Sequence, residues 1–454
     1  MTGAAMLTLL LGACVASPGQ DPGAGSPDPG APTRVQLTVD EAVAVATSAS
    51  PRLARLSALA VATAAQARGA RAERWPQLDL GAGYSRRSEV PELAIFTPTG
   101  NPERPLDRVV VFPNIQDNWR LRAGVALPLW TGGRISQQVA AAEHGRSAAG
   151  EDLRAGRADL VLETKGAYWS LVTARQSARV LEEAIRAHDT HLQDARNRER
   201  FGIAARSEVL AVQVERDRVE LDHLKAAAAA EAAEANLRRL LDLPPATRIE
   251  ASEPLEAPAA AAPDLEALVA EAQAGRAERK SLVARVAAAE ATTGVEHGSR
   301  LPQVALTGGW SYANPNRDIV PPTADWNDSW DVGIGVSFSV FDGGRRSAME
   351  ARARAQADAG REQLRELDRA IRLEVTQRVL ELRTAEARLT VAERSIVAAT
   401  ENRRVAGERY RAGVIPSAEL RDAEVAHERA ALARTEALAM LRLAAAGLER
   451  ATGR

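Results

Sequence analysis

Hydrophobic and polar residues alternate with a period of two across residues 330–345, which read WDVGIGVSFSVFDGGR. From Trp330 to Val340, apolar side chains alternate with small or polar ones, so one face of this segment is apolar. The pattern predicts a β-strand that ends at Gly343 and Gly344, because glycine reaches backbone conformations that other residues avoid. A long helical pattern follows directly.

The same arrangement occurs earlier, at residues 119–134, which read WRLRAGVALPLWTGGR. The two copies lie 211 positions apart and agree at six of sixteen positions, including the paired glycines, here Gly132 and Gly133. Two further alternating segments lie 226 positions apart and precede these copies. The chain is therefore predicted to be internally duplicated, with strands at about 77–86, 119–130, 303–312 and 330–341.

Helical periodicity fills most of the remaining chain. After each glycine pair, apolar residues are spaced by sevens, or by threes and fours, which is typical of a coiled-coil seam. Gly202 and Gly413, again 211 positions apart, interrupt this pattern. The predicted helices are about 39–74, 134–200, 204–242, 264–300, 345–411 and 415–449.

The distance from the glycine pair to the helix break is the same in both repeats, whereas the loop between the two strands differs by 15 residues. In the first repeat this loop, residues 86–118, is polar and contains prolines, and we expect it to be irregular. The fixed segment corresponds to about 100 Å of helix, on the order of the depth of a bacterial periplasm. Because the helical segment has the same length in both repeats and only the loop differs in length, we expect the helices to span a defined distance.

The N-terminus has the pattern of an exported protein. Residues 6–13 are an apolar run about as long as a signal-peptide core and too short to cross a bilayer as a helix. Residues 11–14, ending in Cys14, resemble a bacterial lipobox, in which the cysteine is lipidated. The alternative is a signal peptide cut after Ala16 or Ser17, with Cys14 discarded.

These patterns divide the chain into five segments. We expect 1–14 to be a signal peptide, 15–36 a flexible tether, 37–245 the first repeat, 246–263 a Pro/Ala linker and 264–450 the second repeat.

Four strands of this length suit a membrane. A bilayer-spanning strand needs ~9–11 residues, and such strands must close into a barrel of at least ~8. One chain therefore cannot close a barrel; two chains would supply eight strands and three would supply twelve. Six of the seven tryptophans lie in or beside the strand segments, as in an interfacial aromatic girdle. The alternative is a half-buried sheet in a soluble α+β domain.

Composition and motifs exclude several other functions. The net charge of −2 gives no indication of a nucleic-acid partner, and the single cysteine rules out a disulfide within the chain. His188 and His191 lie three apart on a helix without a third ligand nearby in sequence, so we interpret them as a solvated helical face and predict no metal site. Phosphate loops, dinucleotide fingerprints and hydrolase motifs are absent from the sequence. We therefore predict no catalytic residue and no cofactor, and energy must come from a partner.

The duplicated plan resembles the TolC-like outer-membrane factors of tripartite efflux and type I secretion systems. The segments that carry the resemblance are 340–345 (VFDGGR), 409–414 (RYRAGV) and 419–423 (ELRDA), within a match covering about 37–450. The resemblance implies an α+β membrane protein that forms a homotrimer. Its four strands per chain would build a twelve-stranded barrel in outer-membrane lipid. Very long antiparallel coiled-coil-like helices would continue the barrel as a periplasmic tunnel.

The same resemblance assigns roles to residues at the helix breaks. The tip that contacts the hairpin of a periplasmic adaptor corresponds to Gly202, Ile203, Gly413 and Val414; the alternative is that the glycines only make a turn. The gate at the tunnel entrance corresponds to the acidic residues Glu208, Glu419 and Asp422, with Tyr410 as a latch and Ile415 where other members have a basic latch residue. The alternative is that these acidic residues are merely solvated. The strand-to-helix hinges are Gly132, Gly133, Gly343 and Gly344.

The expected function is export of small molecules, such as drugs, toxic compounds or metal ions, across the outer membrane. The partners implied by the resemblance are a periplasmic adaptor and an inner-membrane pump of the RND or ABC type. Two alternatives are the duct of a type I protein secretion system and a soluble periplasmic coiled-coil adaptor.

Overall fold

The computed structural model of the chain describes residues 34–257 and 264–454. The predicted signal peptide with Cys14, most of the tether and the end of the Pro/Ala linker lie outside the described residues. Within those two ranges, no helix is both long enough and apolar enough to cross a membrane.

Helices make up most of the described chain, and two of them are far longer than the rest. In order along the described residues they are α1 (Val39–Ala49), α2 (Pro51–Ala72), α3 (Arg134–Arg200), α4 (Arg206–Leu241), α5 (Leu265–Gly275), α6 (Ala277–Gly298), α7 (Arg345–Arg411) and α8 (Ser417–Thr452).

The two long helices, α3 and α7, have 67 residues each, which is about 100 Å of helix. Each packs against the helix that follows its break, α4 or α8, and against the short helices of the two repeats. Small and branched apolar residues spaced by multiples of seven, such as Leu160, Ala167, Val375 and Leu389, are buried in these contacts. The coiled-coil-like packing expected from the periodicity and the antiparallel arrangement implied by the resemblance are confirmed.

The predicted helices 39–74 and 264–300 are each divided in two, which the periodicity did not reveal. The first divides at Ser50, because Pro51 has no N–H to continue the helical hydrogen bonds. The Ser50 hydroxyl instead caps α2, accepting from the N–H of Leu53 at 3.4 Å. The second divides at Arg276, whose backbone is extended.

Strands alternate with these helices. Along the described residues they are β1 (Arg34–Leu37), β2 (Gln77–Arg86), β3 (Leu93–Asn101), β4 (Arg104–Phe112), β5 (Asp117–Trp130), β6 (Arg248–Ala251), β7 (Gln303–Asn314) and β8 (Asn327–Ser337).

Strands β2, β5, β7 and β8 form one antiparallel sheet in that order, which we call the large sheet. The two hairpins of the repeats are joined by pairing between β5 and β7, for example Leu127 with Leu306. In the described chain, β2 and β8 are the two edges of this sheet. The last strand ends at Ser337, four residues earlier than predicted.

Three predicted irregular segments contain strands. The loop 86–118 holds the hairpin β3–β4, in which apolar and β-branched residues pair across a two-residue connection despite the prolines. The tether and the linker supply β1 and β6, which pair in parallel. Apolar Leu37 and Ile249 anchor this pair in the helical core, and Tyr168 donates its hydroxyl to the carbonyl of Leu37 at 3.0 Å.

Gly132 and Gly343 occupy matching hinge positions but have different surroundings, so they make a paired test. Both have positive φ, +60° and +67°. A Cβ at Gly132 would lie 2.7 Å from the Cβ of Leu301, whereas no described atom lies within 4 Å of one at Gly343. We expect Gly343→Ala to destabilise the fold by about 1–2 kcal/mol, because a side chain disfavours left-handed backbone. Gly132→Ala should carry the same backbone strain and destabilise the fold by about 1–3 kcal/mol more, because its Cβ would overpack against Leu301.

The measurement is denaturant unfolding in detergent, followed by helical circular dichroism. Equal destabilisation by the two substitutions would contradict the packing argument.

Candidate functional site

The helix reversals at residues 201–205 and 412–416, which we call the tip, have the same geometry in both repeats. Gly202 and Gly413 have φ values of +73° and +74°. The residue after each glycine donates its N–H back into the helix, Ile203 to the carbonyl of Arg198 at 2.8 Å and Val414 to that of Arg409 at 2.9 Å. This is a glycine-terminated helix C-cap, which needs the left-handed backbone that glycine adopts without strain.

The tip exposes large apolar side chains. Ile203 is 73% exposed and Val414 is 65% exposed. Phe201, which sequence reasoning did not single out, is 77% exposed. The sequence indicates Phe201 only as a large apolar residue that lies next to the helix break at Gly202, outside the coiled-coil seam. Exposed apolar side chains clustered at a polar helix end indicate a contact surface for another protein.

Tyr410 is buried beneath the tip, in a cluster with Ala406, Ile415, Leu420 and Ala423. Burial raises the pKa of its hydroxyl above the ordinary value, and the nearby guanidinium of Arg198 opposes that shift.

The basic group beside this tyrosine comes from the other repeat. Arg198 of α3 donates from Nη2 to the carbonyl of Tyr410 at 2.6 Å, and its Cζ lies 4.0 Å from the centre of the ring. A charge-assisted hydrogen bond and a cation–π contact therefore hold the ends of α3 and α7 together. Ile415 itself is part of the apolar cluster.

The three predicted acidic gate residues lie near the starts of two different helices, α4 and α8. Glu419 and Asp422 are exposed on the first turns of α8, and Asp422 lies 3.5 Å from Nη2 of Arg421. Glu208 is half-buried in the first turn of α4, where its negative charge also raises the pKa of Tyr410.

His188 and His191 are buried, which corrects their interpretation as a solvated face. Both side chains are 1% exposed, and Glu424 of α8 lies against them. Glu424 lies 233 positions away from His191, in the other repeat, so the sequence around the two histidines does not reveal it as a third ligand.

The large sheet has one apolar face and one polar or small face. Cross-strand neighbours on the apolar face include Trp310 with Trp330 and Leu306 with Ile334; the opposite face carries Thr307 beside Gly333. Many of the large apolar residues on β2 and β8 are exposed in the single chain. An exposed apolar surface of this extent marks a membrane or protein contact.

The hinge glycines lie between this sheet and the long helices. Gly132, Gly133, Gly343 and Gly344 all have positive φ. Gly133 and Gly344 are the N-cap residues of α3 and α7, so the turn from strand to helix has the same form in both repeats.

Known proteins match the chain over most of its length. The family model for outer membrane efflux proteins matches residues 43–242 and 262–454. Protein CyaE of Bordetella pertussis is 30% identical over 427 residues, which cover 90% of this chain and 84% of that protein.

Two solved structures share the fold. The outer-membrane channel OprN superposes with a TM-score of 0.76 at 22% identity, covering 91% of this chain and 89% of that chain. The outer membrane protein VceC from Vibrio cholerae gives 0.76 at 19% identity, covering 91% and 96%.

Replacing Arg198 should loosen the tip, because its guanidinium supplies both contacts to Tyr410. We expect Arg198→Ala to remove about 1–2 kcal/mol of local stability, which corresponds to roughly 5- to 30-fold faster hydrogen exchange at the amides of Gly413 and Val414. Mass spectrometry of exchange in the detergent-solubilised protein measures this.

Tyr410→Phe is the matched control. The Tyr410 hydroxyl is buried without a hydrogen-bond partner among the described residues, so its removal should leave exchange unchanged or slow it. If Tyr410→Phe accelerates exchange as much as Arg198→Ala, the assignment of the contact to Arg198 is wrong.

Proposed function

Because this chain belongs to the outer membrane efflux protein family, we propose that three copies of it form one duct that exports small molecules. Proteins of this family are outer-membrane channels rather than enzymes, and their tunnels extend into the periplasm. The proposed cargo is drugs, other toxic compounds or metal ions, delivered by an inner-membrane pump of the RND or ABC type through a periplasmic adaptor.

The observation that carries closure by several copies is the large sheet, and the resemblance to TolC-like factors implies that the number of copies is three. Its apolar face suits lipid, but β2 and β8 are its edges in the described chain. Open edges leave N–H and C=O groups without partners in hydrocarbon, so a membrane sheet must close. Pairing β8 of one copy with β2 of the next closes a ring, and three copies supply twelve strands.

The tip supports the proposed adaptor contact. Phe201, Ile203 and Val414 offer apolar side chains beside two tight reversals, a shape into which a helical hairpin can dock. In a trimer, Glu419 and Asp422 would each occur three times around the axis and favour cations at a narrow entrance. Cys14 is the proposed lipid anchor.

Cross-linking between edge strands tests the trimer. In a Cys14→Ser background, Gly81→Cys on β2 is combined with one cysteine on the polar face of β8, and a short thiol-reactive linker is added. We expect at least one combination to give a covalent trimer on a denaturing gel, because adjacent strands lie about 5 Å apart. The β8 positions to scan are Ser329, Asp331, Gly333 and Gly335.

The control places both cysteines in one chain. Gly81 pairs with Arg122 across β2 and β5, so Gly81→Cys with Arg122→Cys should cross-link internally and remain a monomer. A protein that extracts without detergent and stays monomeric under every combination would exclude the duct and favour the soluble adaptor.

Export is tested in a strain that lacks the gene. We expect the deletion to raise cellular accumulation of small toxic compounds, and the wild-type gene to reverse it. Ile203→Asp combined with Val414→Asp should fail to reverse it, because burying an unpaired charge at a contact weakens docking by about 2–5 kcal/mol, or roughly 30-fold or more.

Val320→Asp is the control, since Val320 is also 65% exposed but lies in the loop between β7 and β8. It should restore export fully. Loss of one secreted polypeptide from the medium, with unchanged accumulation of small compounds, would instead favour protein secretion.

A further inference from the structure

The contact between α3 and α8 contains a buried cluster of metal-ligating groups. Oε2 of Glu424 lies 3.0 Å from Nδ1 of His191 and 3.3 Å from Nδ1 of His188. All three ligand atoms lie within 4.8 Å of one another. Both histidine side chains are 1% exposed and that of Glu424 is 10% exposed, so bulk water does not solvate this carboxylate freely.

One of these groups lacks a partner. Nδ1 of His188 is buried and makes no hydrogen bond among the described residues, although a carboxylate oxygen lies 3.3 Å away. An unpaired buried polar atom is unfavourable, so it needs an explanation. Nδ1 of His191, by contrast, has hydrogen-bond geometry towards Oε2 of Glu424. At His188, a lone pair that points towards a common centre, rather than towards the carboxylate oxygen, would bring the ligand atoms close without hydrogen-bond geometry.

The spacing of the ligand atoms suits a small cation. Zinc binds imidazole nitrogen and carboxylate oxygen at about 2.0–2.2 Å, so two such ligands in a tetrahedral site lie about 3.3 Å apart. The distances from Glu424 to the two histidines, 3.0 and 3.3 Å, are close to that value. Two imidazoles and one carboxylate select a transition metal such as zinc over calcium or magnesium, which prefer oxygen ligands.

A neighbouring residue supports this arrangement. Nε2 of His191 lies 3.0 Å from Oγ of Ser417. If Nε2 carries the proton and donates it to Ser417, the Nδ1 lone pair is free to face Glu424. Metal-bound histidines are usually oriented in this way by a hydrogen bond from the other ring nitrogen. The ring of His191 also packs edge-on against Tyr410, with centroids 5.2 Å apart.

We propose that His188, His191 and Glu424 bind one divalent transition-metal ion of the zinc class. The ion connects α3 of the first repeat with α8 of the second, about three helical turns from the glycines of the tip. It stabilises the arrangement in which Arg198 contacts Tyr410, since both contacts join the repeats at the same end of the molecule. Every ligand belongs to one chain, so the site depends on neither the trimer nor the exported substrate.

Metal titration of the purified full-length protein in detergent tests the site. After treatment with a chelator, the protein is titrated with cobalt(II), and zinc is then used to displace the cobalt. We expect one equivalent of cobalt per chain and the visible absorption of a four-coordinate ion. His191→Gln and Glu424→Gln should each abolish this absorption, because each removes a ligand.

Two further variants test the orienting hydrogen bond and the specificity of the ligand substitutions. Ser417→Ala removes only the orienting hydrogen bond and should weaken binding about 10- to 100-fold. His144→Gln makes the same type of substitution on α3, outside the cluster, and should bind like wild type. Circular dichroism of each metal-free variant shows whether it is folded.

A second measurement keeps the proposal testable if a ligand variant folds poorly. Saturating zinc should raise the unfolding temperature of the wild type and of His144→Gln, with a smaller rise at the same zinc concentration for Ser417→Ala. Absence of stoichiometric binding would overturn the proposal and leave a hydrogen-bonded triad, in which His191 donates from Nδ1 to Glu424. Binding that survives Glu424→Gln unchanged would overturn it equally.

Discussion

The open edges of the large sheet are the constraint on which the rest of the structure depends. Strands β2 and β8 leave backbone donors and acceptors unpaired along each edge, and the apolar face between them is suited to a medium that cannot supply partners. Within residues 34–257 and 264–454, no further strand pairs with either edge. In the proposed trimer, other copies close the sheet, and the sheet, the hinges and the helices repeat around one axis.

The hinge glycines connect the large sheet to the two long helices. Gly133 and Gly344 begin the two long helices with nearly the same backbone angles, so both repeats leave the sheet in the same way. The helices then run 67 residues each before they reverse. Their contacts are made mainly by alanine and branched apolar residues, whose small size allows close approach over a long distance. The equal length of the two helices brings both reversals to the same end.

At that end, contacts between the repeats are polar as well as apolar. Arg198 holds Tyr410, and the cluster of His188, His191 and Glu424 lies a few turns away. Arg218 of α4 adds an ion pair to the buried carboxylate of Glu428 on α8, at 3.3 Å. Buried polar contacts of this kind are sensitive to geometry, because a small displacement leaves a charge without its partner. These polar contacts therefore restrict the relative position of the two repeats near the tip more than packing of alanine side chains alone would.

The sequence by itself determined the duplication, the strand segments, the helix breaks and the length of the long helices. These follow from periodicity and from glycine positions, which are local properties that can be read along the chain. Only the tertiary structure decided that β5 pairs with β7 to unite the hairpins, that Arg34–Leu37 pairs with Arg248–Ala251, and that His188 and His191 are buried against Glu424. Each of these depends on residues more than 170 positions apart, and a pattern within one segment carries no information about the segment that will pack against it. The hairpin β3–β4 and the break at Ser50 were local but still missed, because prolines obscured the first and continuous apolar periodicity obscured the second.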